Sequence, residues 1–231
     1  MNNVDRFELV EANASDMDDI INIMVLAYVD DEMWKYTFQK VPYYGRFRFF
    51  YEYNIPRNMM EDVTCFKITE KATGKMVAYT ALQYPWSDRP LSPELKTTLS
   101  SLDPLAGMPL APKGLRLDGF FEMFNMFTST HHEHDPEKDF HRMGTHVLPE
   151  YQRQGLGSWL TRHCNSIADG HHAKTYVTAG CKSRDMFKAL GFEKFGVFDP
   201  HAERWGEEYD VENAKYELLV REPKDFKKVD D

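Results

Sequence analysis

Cysteine is scarce in this chain: three residues among 231, at Cys65, Cys164 and Cys181. They are too few and too scattered for a disulfide framework, and none belongs to a Cys-x-x-Cys metal pair. That pattern fits a reducing compartment, with each thiol expected to act as a small buried hydrophobe. Long apolar runs are missing as well, and the start, Met1-Asn2-Asn3-Val4-Asp5-Arg6, lacks the basic-then-apolar order of a secretory signal. Positive charge is in deficit, 28 Lys and Arg against 37 Asp and Glu, a net charge of −9. Such a surface disfavours a nucleic-acid partner, whose phosphates need concentrated basic charge, and favours approach by a cationic or neutral molecule. Repeats and low-complexity segments are absent too. The expectation is a cytoplasmic protein without membrane or nucleic-acid partners, a monomer or homodimer. Its 42% hydrophobic content suits one domain over 1–231.

The elements follow from periodicity and punctuation. Residues 7–11 alternate as a strand, and Ser15-Asp16-Met17-Asp18 reads as a capping box opening a helix that turns Ile20, Met24, Ala27 and Tyr28 inward and stops near Asp30. Pro42 begins a second, aromatic helix carrying Phe47, Phe50 and Tyr51, bounded by Pro56. Residues 63–69 and 76–84 form strands joined across Lys71-Ala72-Thr73-Gly74-Lys75, a hairpin signal. The proline-rich stretch 85–113, with one weak helical piece over 94–102, reads as a surface insertion. Residues 117–127 place Phe120, Met123, Phe124 and Phe127 at helical spacing, as a core stripe. A strand over 139–148, two closing strands at 192–198 and 214–220, and a charged tail over 221–231 complete the chain.

Between the strand over 139–148 and the next comes Gln152-Arg153-Gln154-Gly155-Leu156-Gly157. A helical stripe of Leu156, Leu160, Cys164 and Ile167 leaves it, and residues 174–179 then read as another strand. Close-set glycines at a helix N-terminus expose backbone N–H groups that attract phosphate. A dinucleotide-binding fingerprint would need a third glycine, but position 160 is Leu.

The residues Val147, Pro149, Gln152, Gly155 and Gly157 meet every fixed position of the acyl-CoA-binding pattern Val-x-Pro-x-x-Gln/Arg-x-x-Gly-x-Gly/Ala, and Leu190-Gly191-Phe192 ends a short helix after the next strand. In these features the chain resembles the GNAT superfamily of acetyltransferases, and its overall pattern also resembles members common in filamentous fungi. The resemblance is sharpest over 139–199 and implies an α/β (α+β) fold: a mixed, mostly antiparallel central sheet flanked by helices, with a splayed parallel strand pair. It further implies a single acyl-CoA N-acyltransferase domain in which acetyl-CoA is the acyl donor and no metal takes part. The pantetheine arm would enter between the splayed strands and pair with backbone at 145–149. The pyrophosphate would meet the N–H groups of Gln154, Gly155, Leu156, Gly157 and Ser158, with Arg153 adding a charge. Val147, Leu148, Pro149, Gln152, Ser183 and Phe187 complete the expected cofactor contacts. A bulge at Gly144 would tilt a backbone donor toward the thioester carbonyl.

For the general base that an ammonium acceptor requires, His141 is the first candidate and His146 the second. Regular alternation sets them on opposite faces, whereas a bulge at Gly144 would break that parity. Many relatives carry a tyrosine where this chain has Phe187, which cannot donate a proton. Water, Tyr176, Ser183 or the acceptor's own ammonium would then serve, or activity would be altered or absent. Ser183 could instead cap its helix. By resemblance the acceptor pocket lies between the first two helices and after the hairpin. There Asp31, Trp34, Tyr84 and Trp86, with Glu122, set acids beside aromatics, a setting suited to a cation or an aromatic amine. The string His131-His132-Glu133-His134-Asp135 invites a metal reading but sits in a polar loop. The expected activity is N-acetylation of a small-molecule amine. Acetylation of a protein or peptide, O-acetylation, and acyl-CoA binding without turnover stay open.

Overall fold

The computed structural model describes residues 3–100, 108–128 and 133–224. Helix α1 (Asn3–Arg6) leads into strand β1 (Phe7–Glu11), and α2 (Met17–Ala27) follows a 3-10 turn, Ala14–Asp16. The capping box is Asn13 with Asp16, two residues earlier than the Ser15 reading, because Asn13 is extended and its side chain accepts from the Ser15 N–H. A helix unforeseen from sequence, α3 (Glu32–Phe38), starts immediately afterwards, capped by the Asp31 carboxylate on the Trp34 N–H. Helix α4 (Tyr43–Asn58) runs through Pro56 instead of ending there. Proline there gives up its own N–H bond and crowds the Glu52 carbonyl, but with only Arg57 and Asn58 beyond it little helix depends on that turn. Helix α4 buries Phe49 and Phe50, while Tyr51 is exposed.

Strands β2 (Val63–Glu70) and β3 (Met76–Gln83) form the expected hairpin. The insertion contains α5 (Pro93–Ser100); residues 101–107 lie outside the described residues. Helix α6 (Leu117–Thr128) buries Phe120, Met123 and Met126, leaving Phe127 exposed, so the inward stripe is rotated from the one expected. Then come β4 (Phe140–Val147), α7 (Leu156–Gly170), β5 (Thr175–Ala179), α8 (Arg184–Ala189), β6 (Glu193–Phe198) and β7 (Tyr216–Arg221). The charged tail falls outside the described residues from 225 onward. No helix among the described residues is long and apolar enough to cross a membrane.

All seven strands make one sheet in the order β1-β2-β3-β4-β5-β7-β6, in which only β4 and β5 pair in parallel. One face carries α2, α3, α4 and α6 over a core that includes Ile20, Met33, Phe38 and Phe49. The other face carries α7, whose Leu156, Leu160 and Cys164 pack against Phe7, Ile68 and Phe140. Cys65 and Cys164 are buried small hydrophobes, as expected, and Cys181 is half-buried.

Candidate active site

Parallel pairing of β4 with β5 covers only Phe140–Arg142 against Thr175–Val177. Beyond that rung β4 stays bonded to β3, and β5 to β7, but not to each other, so the two strands fork. The facing backbone N–H and C=O groups at such a fork have no strand partner and are available to an extended ligand.

At the fork β4 bulges. Its register against β3 passes from Arg142 opposite Leu82 to Gly144 opposite Ala81, leaving Met143 as the extra residue. Gly144 has φ 154°, and a Cβ there would lie 2.5 Å from His146 Cε1, so glycine is required for both reasons. Parity therefore breaks. His141 and His146 pair opposite Gln83 and Tyr79 and share one face, while Arg142 and Thr145 pair opposite Leu82 and Thr80 on the other.

The glycine loop is built from alternating left-handed residues, Arg153 at φ 61° and Gly155 at φ 81°. Backbone of this kind turns successive N–H groups toward one point, and the first turn of α7 adds its own unpaired N–H groups and positive dipole end. Gln152 holds the loop to the strand by donating from Nε2 to the Val147 carbonyl, 3.1 Å. Together these features fit an anionic diphosphate.

A cavity of about 530 Å³ joins the loop to the opposite face through the fork. Of the residues expected at the cofactor, Val147, Gln152, Arg153, Gly155, Leu156, Gly157, Ser158, Ser183 and Phe187 line it, whereas Leu148, Pro149 and Gln154 do not. Leu148 faces the core, and Gln154 turns back to the Glu150 carbonyl. Ser183 does not cap α8; its hydroxyl donates to the Gly180 carbonyl, 3.3 Å. Phe187 is buried edge-on to Phe192.

At the far end the cavity wall comprises Tyr28, Asp31, His146 and Tyr216. Asp31 accepts the Tyr216 hydroxyl on both oxygens at 2.7 Å and the Trp34 N–H at 3.1 Å. Burial raises its carboxyl above the usual range, although these bonds and Lys182 oppose the rise. His146 lies flat against Tyr79, 4.8 Å between centroids, and edge-on to Tyr28. It is 5% exposed, neither ring nitrogen has a partner, and burial pushes its pKa down to about 3. Burial also raises the Tyr28 and Tyr216 phenols, so both stay protonated.

The remaining expected residues lie elsewhere. His141 does not line the cavity; its ring is 5.3 Å from that of His134. Tyr176 packs against His134 and Phe195, also outside it. Trp34 stacks behind Tyr28 at 4.1 Å and so supports the wall. Tyr84 packs on Phe140 across the sheet, Trp86 donates to Asp62, and Glu122 pairs with Arg204; none of the three lines the cavity. His131 and His132 fall outside the described residues. Sequence reasoning missed Tyr28 and Tyr216 as wall residues, because Tyr28 reads as a core position and Tyr216 arrives from the last strand.

A forked parallel pair beside a glycine loop at a helix N-terminus is the feature of this fold that positions the cavity. Residues 119–192 match the family described as Acetyltransferase (GNAT) family, and over that segment the chain is similar to it. No curated protein sequence matches it. Solved structures share the fold. One is the histone acetyltransferase HPA2 and related acetyltransferase from Corynebacterium glutamicum, with TM-score 0.61, 14% identity, and coverage of 96% of this chain and 99% of that one. A second is the Drosophila melanogaster polyamine N acetyltransferase, with TM-score 0.60, 14% identity, and coverage of 94% and 99%. A third is a mosquito arylalkylamine N-acetyltransferase like 5b, with TM-score 0.56, 13% identity, and coverage of 94% and 99%.

Proposed function

We propose that this chain is an acetyl-CoA-dependent N-acetyltransferase acting on a small-molecule amine, by direct transfer within one domain. The observation that carries the reading is the cavity that runs from the glycine loop through the fork to a desolvated carboxylate flanked by phenols. Arg153 and the loop N–H groups hold the diphosphate, and the free edges of β4 and β5 pair with the pantetheine amides. The thioester then lies beside the Met143-Gly144 bulge, where a backbone N–H steadies the carbonyl oxygen as charge grows on it.

The acceptor enters from the opposite face. Its ammonium meets Asp31, whose charge is unusually exposed to a cation because burial has removed the water that would screen it. Tyr28 and the Tyr79–His146 stack offer flat apolar walls to the rest of the molecule. His141 stands outside the cavity, so His146 is the histidine in position to touch the reacting amine. With its pKa held near 3 it is neutral, and with both ring nitrogens buried it serves as an uncharged wall beside the amine, not as the base. The more basic Asp31, directly or through water, takes up the ammonium's proton.

The Drosophila and mosquito relatives bear the names of amine acetyltransferases, which agrees with this reading, while the Corynebacterium relative is named for histones. A thiol-release screen of acetyl-CoA against polyamines, arylalkylamines, amino acids and peptides tests it. Turnover with a small amine is expected. Release only with peptides would reassign the acceptor, and coenzyme A binding without release across the panel would leave a binding module.

A further inference from the structure

Arg142 is 2% exposed, and no carboxylate contacts it among the described residues. Its Nη2 donates to Thr80 Oγ1 at 2.7 Å and Thr145 Oγ1 at 2.6 Å, while Nε and Nη1 have no partner. A guanidinium buried this way is costly, and an apolar side chain of similar length would avoid the cost. Its location gives the charge a use. Arg142 occupies the last paired rung of β4 and β5, opposite Val177, so it sits at the closed end of the fork. Val177, Thr145 and Phe187 separate it from the cavity, and its guanidinium carbon is 5.8 Å from the Phe187 ring centre.

The hydroxyl network has one proton to spare. Thr80 gives its own proton to the Gly144 carbonyl, and Arg142 fills an acceptor site on both threonine oxygens. The Thr145 proton is left with the choice of Thr80 Oγ1, at 3.1 Å, or the cavity that Thr145 lines. A cation behind the oxygen makes that O–H a stronger donor.

We propose that Arg142 is a positioning residue for departure of the thiol, acting through the Thr145 hydroxyl on the sulfur of the acyl donor. The proposal rests on the acetyl-CoA reading above. The amine lone pair forms the new C–N bond, the C–S bond breaks, and its electron pair goes to sulfur. The ammonium loses two protons in all, one ending on sulfur and one in solvent. Thr145 keeps its proton throughout and hydrogen-bonds the sulfur while negative charge accumulates there. Phe187, on the same wall, has no proton to offer. Arg142 acts by its field: its free nitrogens do not open on the cavity, so they are not placed to grip a carboxylate carried by the acyl group.

The test compares wild type with Arg142→Met, Thr145→Val and Thr145→Ser, first by calorimetric binding of coenzyme A and then by ultraviolet titration of the bound thiol. The expected wild-type result is a bound thiol that ionises at lower pH than free coenzyme A. Arg142→Met and Thr145→Val should return it toward the free value and lower kcat about 10–100-fold, with KM for the amine unchanged. Thr145→Ser should retain the wild-type behaviour, and Arg142→Met should melt no lower than wild type. Equal thiol ionisation in wild type and Thr145→Val would overturn the proposal, even if Arg142→Met failed to fold. So would loss confined to succinyl-CoA with acetyl transfer intact. Absence of any coenzyme A binding to wild type would instead remove the underlying functional reading.

Discussion

Asp31 joins two requirements at one position: its carboxylate caps α3 through the Trp34 N–H and also faces the cavity beside Tyr216. Asparagine can cap as well as aspartate, so Asp31→Asn removes the charge and leaves the helix start intact. For a cationic amine, KM should rise about 10–100-fold, the value of a charge-assisted hydrogen bond, and kcat should fall because asparagine cannot take up the proton, with acetyl-CoA affinity unchanged. Steady-state kinetics on cationic and neutral acceptors checks this; an equal rise in KM for both would take Asp31 out of ammonium recognition. Gly144 makes a second demand on a single residue. Gly144→Ala would put a methyl group into the His146 ring at a φ that alanine avoids, and should cost about 2 kcal/mol or more in chemical denaturation. At this scale the sequence was partly legible. The geometry of the glycine loop could be read because it is local: Arg153 and Gly155 take left-handed backbone, and Gly157 lies in the first turn of α7. The choice between His141 and His146 could not, because it turns on a bulge whose register depends on β3, more than sixty residues earlier.

Helix α7 is the element on which the proposed cofactor site depends, and its two ends are fixed by different means. Its N-terminus is set by the loop, through Gly155 in the left-handed region and the Gln152 bond to β4. Its C-terminal turn is pinned by Asp169, which accepts two bonds from Arg221 of β7 at 2.7 and 2.8 Å, plus the Lys224 N–H. Both side chains are buried, so Asp169→Asn would leave a guanidinium uncompensated and should cost about 3–5 kcal/mol. Denaturant titration would show it as a lower midpoint with an unchanged slope; an unaltered midpoint would mean that the pair anchors nothing. Strands and long helices were read well from periodicity, since alternation and the 3.6-residue stripe survive any tertiary context. Helix α3 was not, because Asp31, Glu32, Trp34 and Tyr36 carry as much loop character as helix character. The fork in β4 and β5 was expected only through resemblance: residues 140–147 and 175–179 look alike to propensity whether they pair along their whole length or only at one end.

For the molecule as a whole, acid is the condition that most directly opposes the fold. His146 is neutral when folded, with its pKa pushed down to about 3, and titrates near 6.5 when unfolded. As pH falls from 6.5 toward 3, the unfolded chain binds a proton that the folded one refuses, so stability drops, by roughly 4–5 kcal/mol if the whole shift is realised. Burial lowers His163 in the same sense. At lower pH the bonded carboxylates add to the loss. Burial is the largest single influence on Asp169 and Asp16 and raises both, but the Arg221 and Lys224 contacts of Asp169 and the Lys67 and Asn13 contacts of Asp16 together outweigh it, so both carboxyls sit low and their contributions vanish as they protonate. Asp31 and Asp139 work the other way: burial raises their pKa, and protonation relieves a cost that the folded state bears at neutral pH. Between pH 7 and about 4 the imidazoles are therefore expected to dominate, with Tm falling as pH falls. His146→Phe keeps the stack between Tyr79 and Tyr28 while removing two unpartnered nitrogens, so it should flatten that part of the curve and raise Tm at its acid end. Calorimetric melting of both proteins across this range decides the matter, and two parallel curves would place the acid sensitivity outside the cavity.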